Sequence, residues 1–154
     1  MSTYFLDTSA IVKRYFLEQG HDWIVALCDS GQAQHIYISQ VALVEVVATI
    51  CRKAREQSVA DEERDSLIDT FRQDCQHTYI IWPVTTAIYT IAGNLCRTYR
   101  LRAYDAVQLA CVLGLRDEAV ATETPKPIFI CSDNDLINMA VAENLSIENP
   151  NNYR

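Results

Sequence analysis

Four short apolar runs, each followed by a stretch with helical spacing, constrain this chain more than any other feature. The runs are Thr3-Tyr-Phe-Leu6, His35-Ile-Tyr-Ile38, Tyr79-Ile-Ile-Trp82 and Ile128-Phe-Ile-Cys131. Their length and near-continuous hydrophobicity suit strands buried on both faces. Between them the spacing predicts helices from Thr8 or Ser9, as cap, to about Gly20, over His21–Asp29, and from Gln40 to about Gln57 with Ser39 as its cap. Further helices are predicted over about Ala60–Gln76, Thr86–Tyr99, Tyr104–Arg116 and about Asn134–Asn144, with one surface loop at Ala121–Pro127. Strands joined by helical crossovers pair in parallel, and a parallel sheet needs cover on both faces. The expected fold is therefore α/β, a three-layer α/β/α sandwich around a central, mainly parallel sheet of about five strands.

The chain has 154 residues, 49% of them hydrophobic, and no repeat or linker. That describes one domain spanning residues 1–154, with a core large enough to stand without disulfide or metal staples. Six cysteines are spread evenly with no C-x-x-C pair and mostly sit in apolar patterns, so they are expected to be reduced core residues of a cytoplasmic protein. The longest charge-free stretch, Cys75 to Cys96, is interrupted by Pro83 and several polar residues and fails as a membrane span.

Ligands of parallel α/β sheets gather beyond the carboxyl ends of the strands, where the strand order reverses. Asp7 follows the first run directly and Asp133 comes soon after the fourth. Taken singly, each is an ordinary cap or turn residue. Glu45 interrupts Val41-Ala-Leu-Val44 and Val46-Val-Ala48, on a helix whose surroundings are apolar almost all round. A buried salt bridge or an outward-facing Glu would account for it equally well. Asp105 and Gln108 are the only polar side chains from Asp105 to Leu113, and they share a face; a helix N-terminal Asp meeting the macrodipole is the ordinary account.

The four acids together are harder to explain one by one. Carboxylates a few ångströms apart repel by ~4 kcal/mol per pair at an effective dielectric near 20, unless a cation compensates them. An all-oxygen donor set points to Mg²⁺ or Mn²⁺. His21, His35 and His77 fall at element boundaries and read as surface residues.

With these positions in view, the sequence resembles the PIN-domain family, and within it the compact VapC-type toxin ribonucleases. The resemblance rests on Leu6-Asp-Thr-Ser-Ala10; on Ser39–Ala48 around Glu45; on Leu101-Arg-Ala-Tyr-Asp-Ala-Val-Gln-Leu-Ala110; and on Phe129-Ile-Cys-Ser-Asp-Asn-Asp-Leu136, closing with Ile147-Glu-Asn-Pro150. It implies that Asp7, Glu45, Asp105 and Asp133 form an acidic quartet that is both catalytic and metal-binding, with Thr8 or Ser9 as the supporting hydroxyl. It further implies one or two Mg²⁺ or Mn²⁺ ions, an RNA substrate, a small antitoxin and a homodimer. Cys131 stands where family members often carry Thr, and Asp135 adds a carboxylate read as an outer or helix-start group.

The net charge of −7 excludes holding nucleic acid by bulk electrostatics, so phosphate contacts must be local. Arg102, Lys13 and Arg14 are the candidates by proximity in sequence to Asp105 and Asp7; the group Arg52, Lys53 and Arg55 reads as a solvated helix face. Two other functions compete. An aspartyl-phosphate phosphatase also places Asp after its first strand, but wants a second Asp where this chain has Ser9. A non-catalytic interaction or RNA-binding protein could keep the fold, but gains nothing from Glu45 in an apolar run. Tyr15, Phe16 and Trp23 suit either core packing or partner contacts.

Overall fold

A computed structural model describes residues Met1–Arg154, the side chain of Gln32 excepted. Five strands, β1 (Ser2–Leu6), β2 (Gln34–Ser39), β3 (Ile80–Trp82), β4 (Ile128–Ile130) and β5 (Ser146–Glu148), form one sheet in the order β3-β2-β1-β4-β5. Every neighbouring pair is parallel, with Leu6 level with Ile38 on one side and Ile130 on the other. The chain builds outward from β1 through β2 to β3, then crosses back to lay β4 on the other side of β1. The order thus reverses between β1 and β4, and a crevice opens beyond their carboxyl ends.

Alternation along the strands divides the core. Leu6, Ile36, Ile38 and Ile130 face one layer, packed by α1 (Thr8–Ile11), α2 (His21–Asp29), α3 (Ala42–Glu56) and α4 (Asp61–His77). Phe5 and Phe129 face the other, packed by α5 (Thr86–Thr98), α6 (Ala103–Ala121) and α7 (Asn134–Ala142). Residues two apart share a face, so one polar insertion in a strand would reach only one layer. The result is the expected three-layer α/β/α sandwich with a five-stranded parallel sheet.

Three expectations are corrected. The first helix does not run to Gly20: it has four residues, passes into a 3₁₀ turn over Val12–Arg14, and is capped by Asp7 rather than by Thr8 or Ser9. Gly20 ends the following turn at φ +82°, where a Cβ would collide with the Pro150 carbonyl. Ser39 closes β2 rather than capping α3, its Oγ accepting from the Val41 N–H at 3.2 Å. The cysteines are all free, but Cys96 is exposed on α5, so that one is not a core residue. Among the described residues no helix is long and apolar enough to cross a membrane. Tyr15 and Phe16 are core residues, and Trp23 stacks on Tyr153 with ring centroids 4.7 Å apart.

Candidate functional site

Asp7 is placed at the crevice by its own strand. Directly after β1 its backbone N–H donates to the Ile130 carbonyl, and its carboxylate caps α1 by accepting from the Ala10 N–H at 3.2 Å. The same carboxylate accepts from Ser9 Oγ at 2.7 Å and from the Cys131 thiol at 3.4 Å. These donors come from α1, directly after β1, and from the residue that follows β4, two segments that Ser9 also ties together by accepting from the Ser132 N–H at 3.0 Å. Burial nevertheless dominates: Asp7 is 4% exposed, and its pKa is pushed up to about 7 by desolvation against those hydrogen bonds, with Glu45's charge adding to the rise. The Cys131 thiol is itself pushed upward by burial and by Asp7, so it stays protonated and serves as a donor.

Asp7 opens into a cavity of about 490 Å³ that is also lined by Glu45, Asp105 and Asp133. Glu45 reaches it from the first turn of α3, Asp105 from the first turn of α6, and Asp133 as the N-cap of α7, accepting from the Asp135 and Leu136 N–H groups. The pKa of Glu45 is raised by burial, against hydrogen bonds from Gln108 and Thr8. That of Asp105 is raised by burial and by the charge of Asp133, and lowered by Arg102. Thr8 and Ser9 line the same cavity. All four predicted acids and both predicted hydroxyls therefore meet at the switch in strand order. No three His, Cys, Asp or Glu side chains among the described residues are gathered closely enough to hold a metal ion unaided. The donor set is one of hard oxygens round a shared space, suited to a cation that keeps part of its water.

A match to the PIN domain family covers residues 4–142. The chain belongs to the PIN domain family. Ribonuclease VapC45 and Ribonuclease VapC49 of Mycobacterium tuberculosis (strains CDC 1551 / Oshkosh and ATCC 25618 / H37Rv) are each 33% identical to it over 122 residues, 76% of this chain and 79% of theirs. In fold it is similar to VapBC2 from Rickettsia felis bound to a promoter DNA fragment, with TM-score 0.58, 17% identity, and 96% and 98% of the two chains covered. A toxin-antitoxin complex from Klebsiella pneumoniae gives TM-score 0.58 at 16% identity, covering 96% and 97%.

The positive charges of this PIN domain are arranged differently from the sequence expectation. Arg102 lines the cavity as expected. Lys13 does not: it is 5% exposed, bonded to the Gln19 carbonyl at 2.8 Å and to Glu18 at 3.3 Å. Arg14 also turns away, its guanidinium held by Asp74 at 3.0 Å and Asp29 at 2.9 Å. The early end of the first helix explains both corrections, because the turn that follows it redirects these side chains. Besides Arg102, the cations that reach the cavity are Arg52 and Lys53, from the last two turns of α3. Glu18 is a fifth acid in the lining; against a burial that pushes it up, Lys53 at 2.7 Å and Lys13 hold it below its ordinary value. Arg52 and Lys53 lie seven and eight residues after Glu45, the helical spacing that returns to the same face, and that signal was present in the sequence. Asp135 lies outside this cavity, lining a smaller cleft with Arg100, Arg102 and Met139.

Proposed function

We propose that this chain is a divalent-cation-dependent endoribonuclease that hydrolyses RNA phosphodiester bonds as the toxin of a toxin-antitoxin pair. The observation that carries the reading is the arrival of four acids, from four separate segments, at one cavity without a neutralising partner for Asp7. The ribonuclease names of its relatives in the PIN family support RNA as substrate. Family membership leaves the aspartyl-phosphate alternative without support, and Ser9, where that chemistry wants an acid, is a donor to Asp7.

In this reading Asp7 and Asp105 are the principal holders of a Mg²⁺ or Mn²⁺ ion, and Asp133 serves the second half of the site. One or two ions fit such a donor set. A bound ion supplies polarisation of a phosphoryl oxygen and a lowered pKa for the attacking water. Glu45 orients that water or takes its proton. Ser9 and the Cys131 thiol hold the Asp7 carboxylate in one orientation, which removes a rotamer search from the reactive geometry. Arg102, Arg52 and Lys53 bind the flanking phosphates. Single-stranded RNA or an exposed loop suits the recessed site, because unstacked strands can enter it.

The PIN domain acts as one unit over residues 1–154 in the cytoplasm, as a homodimer, with a small antitoxin covering the cavity. The toxin-antitoxin complex from Klebsiella pneumoniae that shares its fold supports that partner, and exposed Val44 and Tyr104 beside the cavity are surface that such a segment would cover. The test is incubation of the purified chain with a defined RNA panel in Mn²⁺ or in EDTA, with cleavage positions mapped. Cutting in Mn²⁺ alone is expected; equal cutting in EDTA, or none in either, overturns the reading.

A further inference from the structure

Helix α6 buries ten residues, and Gln108 is the one among them with a strongly polar side chain. We propose that Gln108 is a positioning residue, whose carboxamide fixes the Glu45 carboxylate at the wall of the acidic cavity. The proposal rests on the nuclease reading above and adds to it a member that lies outside the quartet and does not line the cavity.

The geometry is specific. Gln108 is 1% exposed, and its Nε2 donates to Glu45 Oε2 at 3.4 Å and to Thr8 Oγ1 at 3.2 Å. Two N–H bonds meet two acceptors, and the three residues belong to α6, α3 and the α1 turn behind β1. One amide thus ties together the three elements that carry Asp105, Glu45 and Asp7. Its orientation follows from charge: a flipped amide would aim a carbonyl oxygen at an ionised carboxylate.

The other end of the amide gains nothing visible. Gln108 Oε1 is buried and accepts from no group among the described residues. A leucine or methionine at this place would match its apolar neighbours and leave no buried oxygen unpaired. The amide is accounted for by what Nε2 does for Glu45, a long, half-buried side chain with several rotamers to choose from. Glu45 is held over the cavity by this amide and by the Thr8 hydroxyl that the amide also orients, so loss of the amide loosens both restraints and frees Glu45 toward solvent.

The experiment is a double-mutant cycle on the full chain with Gln108→Leu, Glu45→Gln and their combination. It reads kcat and KM on a fluorogenic RNA in Mn²⁺, Mn²⁺ affinity by calorimetry without RNA, and thermal melting. Gln108→Leu is expected to lower kcat by about tenfold to a hundredfold, the usual scale for losing a partner one step removed from the ligands, with KM within about twofold. It should melt no lower than the native chain and weaken Mn²⁺ binding several-fold. In the Glu45→Gln background the same change should cost nothing further in either kcat or Mn²⁺ affinity. Multiplicative losses in the double variant, or a Gln108→Leu protein with native turnover and affinity, overturn the proposal. If Gln108→Leu does not fold, Gln108→Met takes its place in the cycle. Should the native chain cut no RNA, the nuclease reading fails, while the Mn²⁺ arm, which needs no substrate, still decides whether Gln108 acts through Glu45 (coupling supports it, independence overturns it).

Discussion

Two carboxylates in this PIN domain, one partly buried and one fully buried, are solved in opposite ways. Asp74, on α4, accepts from Arg14 Nε at 3.0 Å and from the Tyr15 hydroxyl at 2.6 Å, and Tyr79 closes the cluster with its hydroxyl 3.1 Å from that of Tyr15. Asp7, at the end of β1, has neutral donors only, a hydroxyl, a thiol and a backbone N–H. Asp74 brings its counter-charge with it; Asp7 is held in place and left uncompensated. An acid that carries its own cation is electrically complete within the fold and suffers only when that cation is removed, whereas one fixed by neutral donors and facing other acids marks where a mobile cation belongs.

The largest effect that could break this contrast is on catalysis. Asp7→Asn or Asp105→Asn should lower RNA cleavage in Mn²⁺ by at least about a hundredfold, since losing even an outer partner of a metal ligand costs about 10- to 100-fold. The metal-free variants should melt at or above the native temperature, because one uncompensated charge is gone. Native turnover by either purified variant would remove these residues from the site. Arg14→Met should do the reverse. It leaves the partly buried Asp74 without its cation, at a cost of about 2 kcal/mol in urea unfolding, between the values for exposed and buried pairs, while kcat of the folded fraction stays native. Loss of turnover without loss of stability there would make the two regions functionally alike.

Much of the contrast was legible in the sequence, and the missing part has a physical cause. Strands β1, β2 and β4 could be read because burial inside the sheet writes near-continuous apolar runs, and β3 because its three residues are all apolar although it lies at an edge. Strand β5 could not, since Ser146-Ile-Glu148 is an edge strand with a single apolar residue. Asp7, Glu45 and Asp105 stood out because each interrupts or ends an apolar pattern in which a charge is costly. Lys13 and Arg14 were misplaced because their direction depends on a four-residue helix passing into a 3₁₀ turn, and both forms share a similar local pattern. Glu18 went unread, since what puts it in the cavity lining is its ion pairing with Lys53, 35 residues away.

The contrast also has a pH signature. In EDTA, Asp7 titrates near 7 in the folded chain and near 3.8 when unfolded, so between these values the folded state binds more protons. Stability contributed by the protonated carboxyl is complete below about pH 4 and is lost as pH rises to 7. At about 1.4 kcal/mol per unit, screened by water in the open cavity, the loss is on the order of 2 kcal/mol. Urea unfolding at pH 5 and pH 8 should show it, Asp7→Asn should abolish it, and saturating Mn²⁺ should flatten it. A native chain that is more stable at pH 8 than at pH 5 in EDTA would contradict the burial of an uncompensated Asp7.

The smallest effect separates the cations. Arg52 lines the acidic cavity and holds only a loose 3.8 Å pair with Glu56, whereas Lys13 is locked in the Glu18 pairing away from it. An exposed Arg that contacts a phosphate adds a salt-dependent share to binding and little to the fold. Arg52→Ala should therefore raise the KM for RNA by about threefold in moderate salt, reduce the salt slope of binding by about one, and leave melting unchanged. Lys13→Ala should leave that slope at its native value and lower the melting temperature instead, because it removes a buried bond to the Gln19 carbonyl and half of the clamp on Glu18. If the two substitutions exchanged these phenotypes, the phosphate path would run past the first helix after all, and the cavity walls contributed by α3 would have to be reassigned.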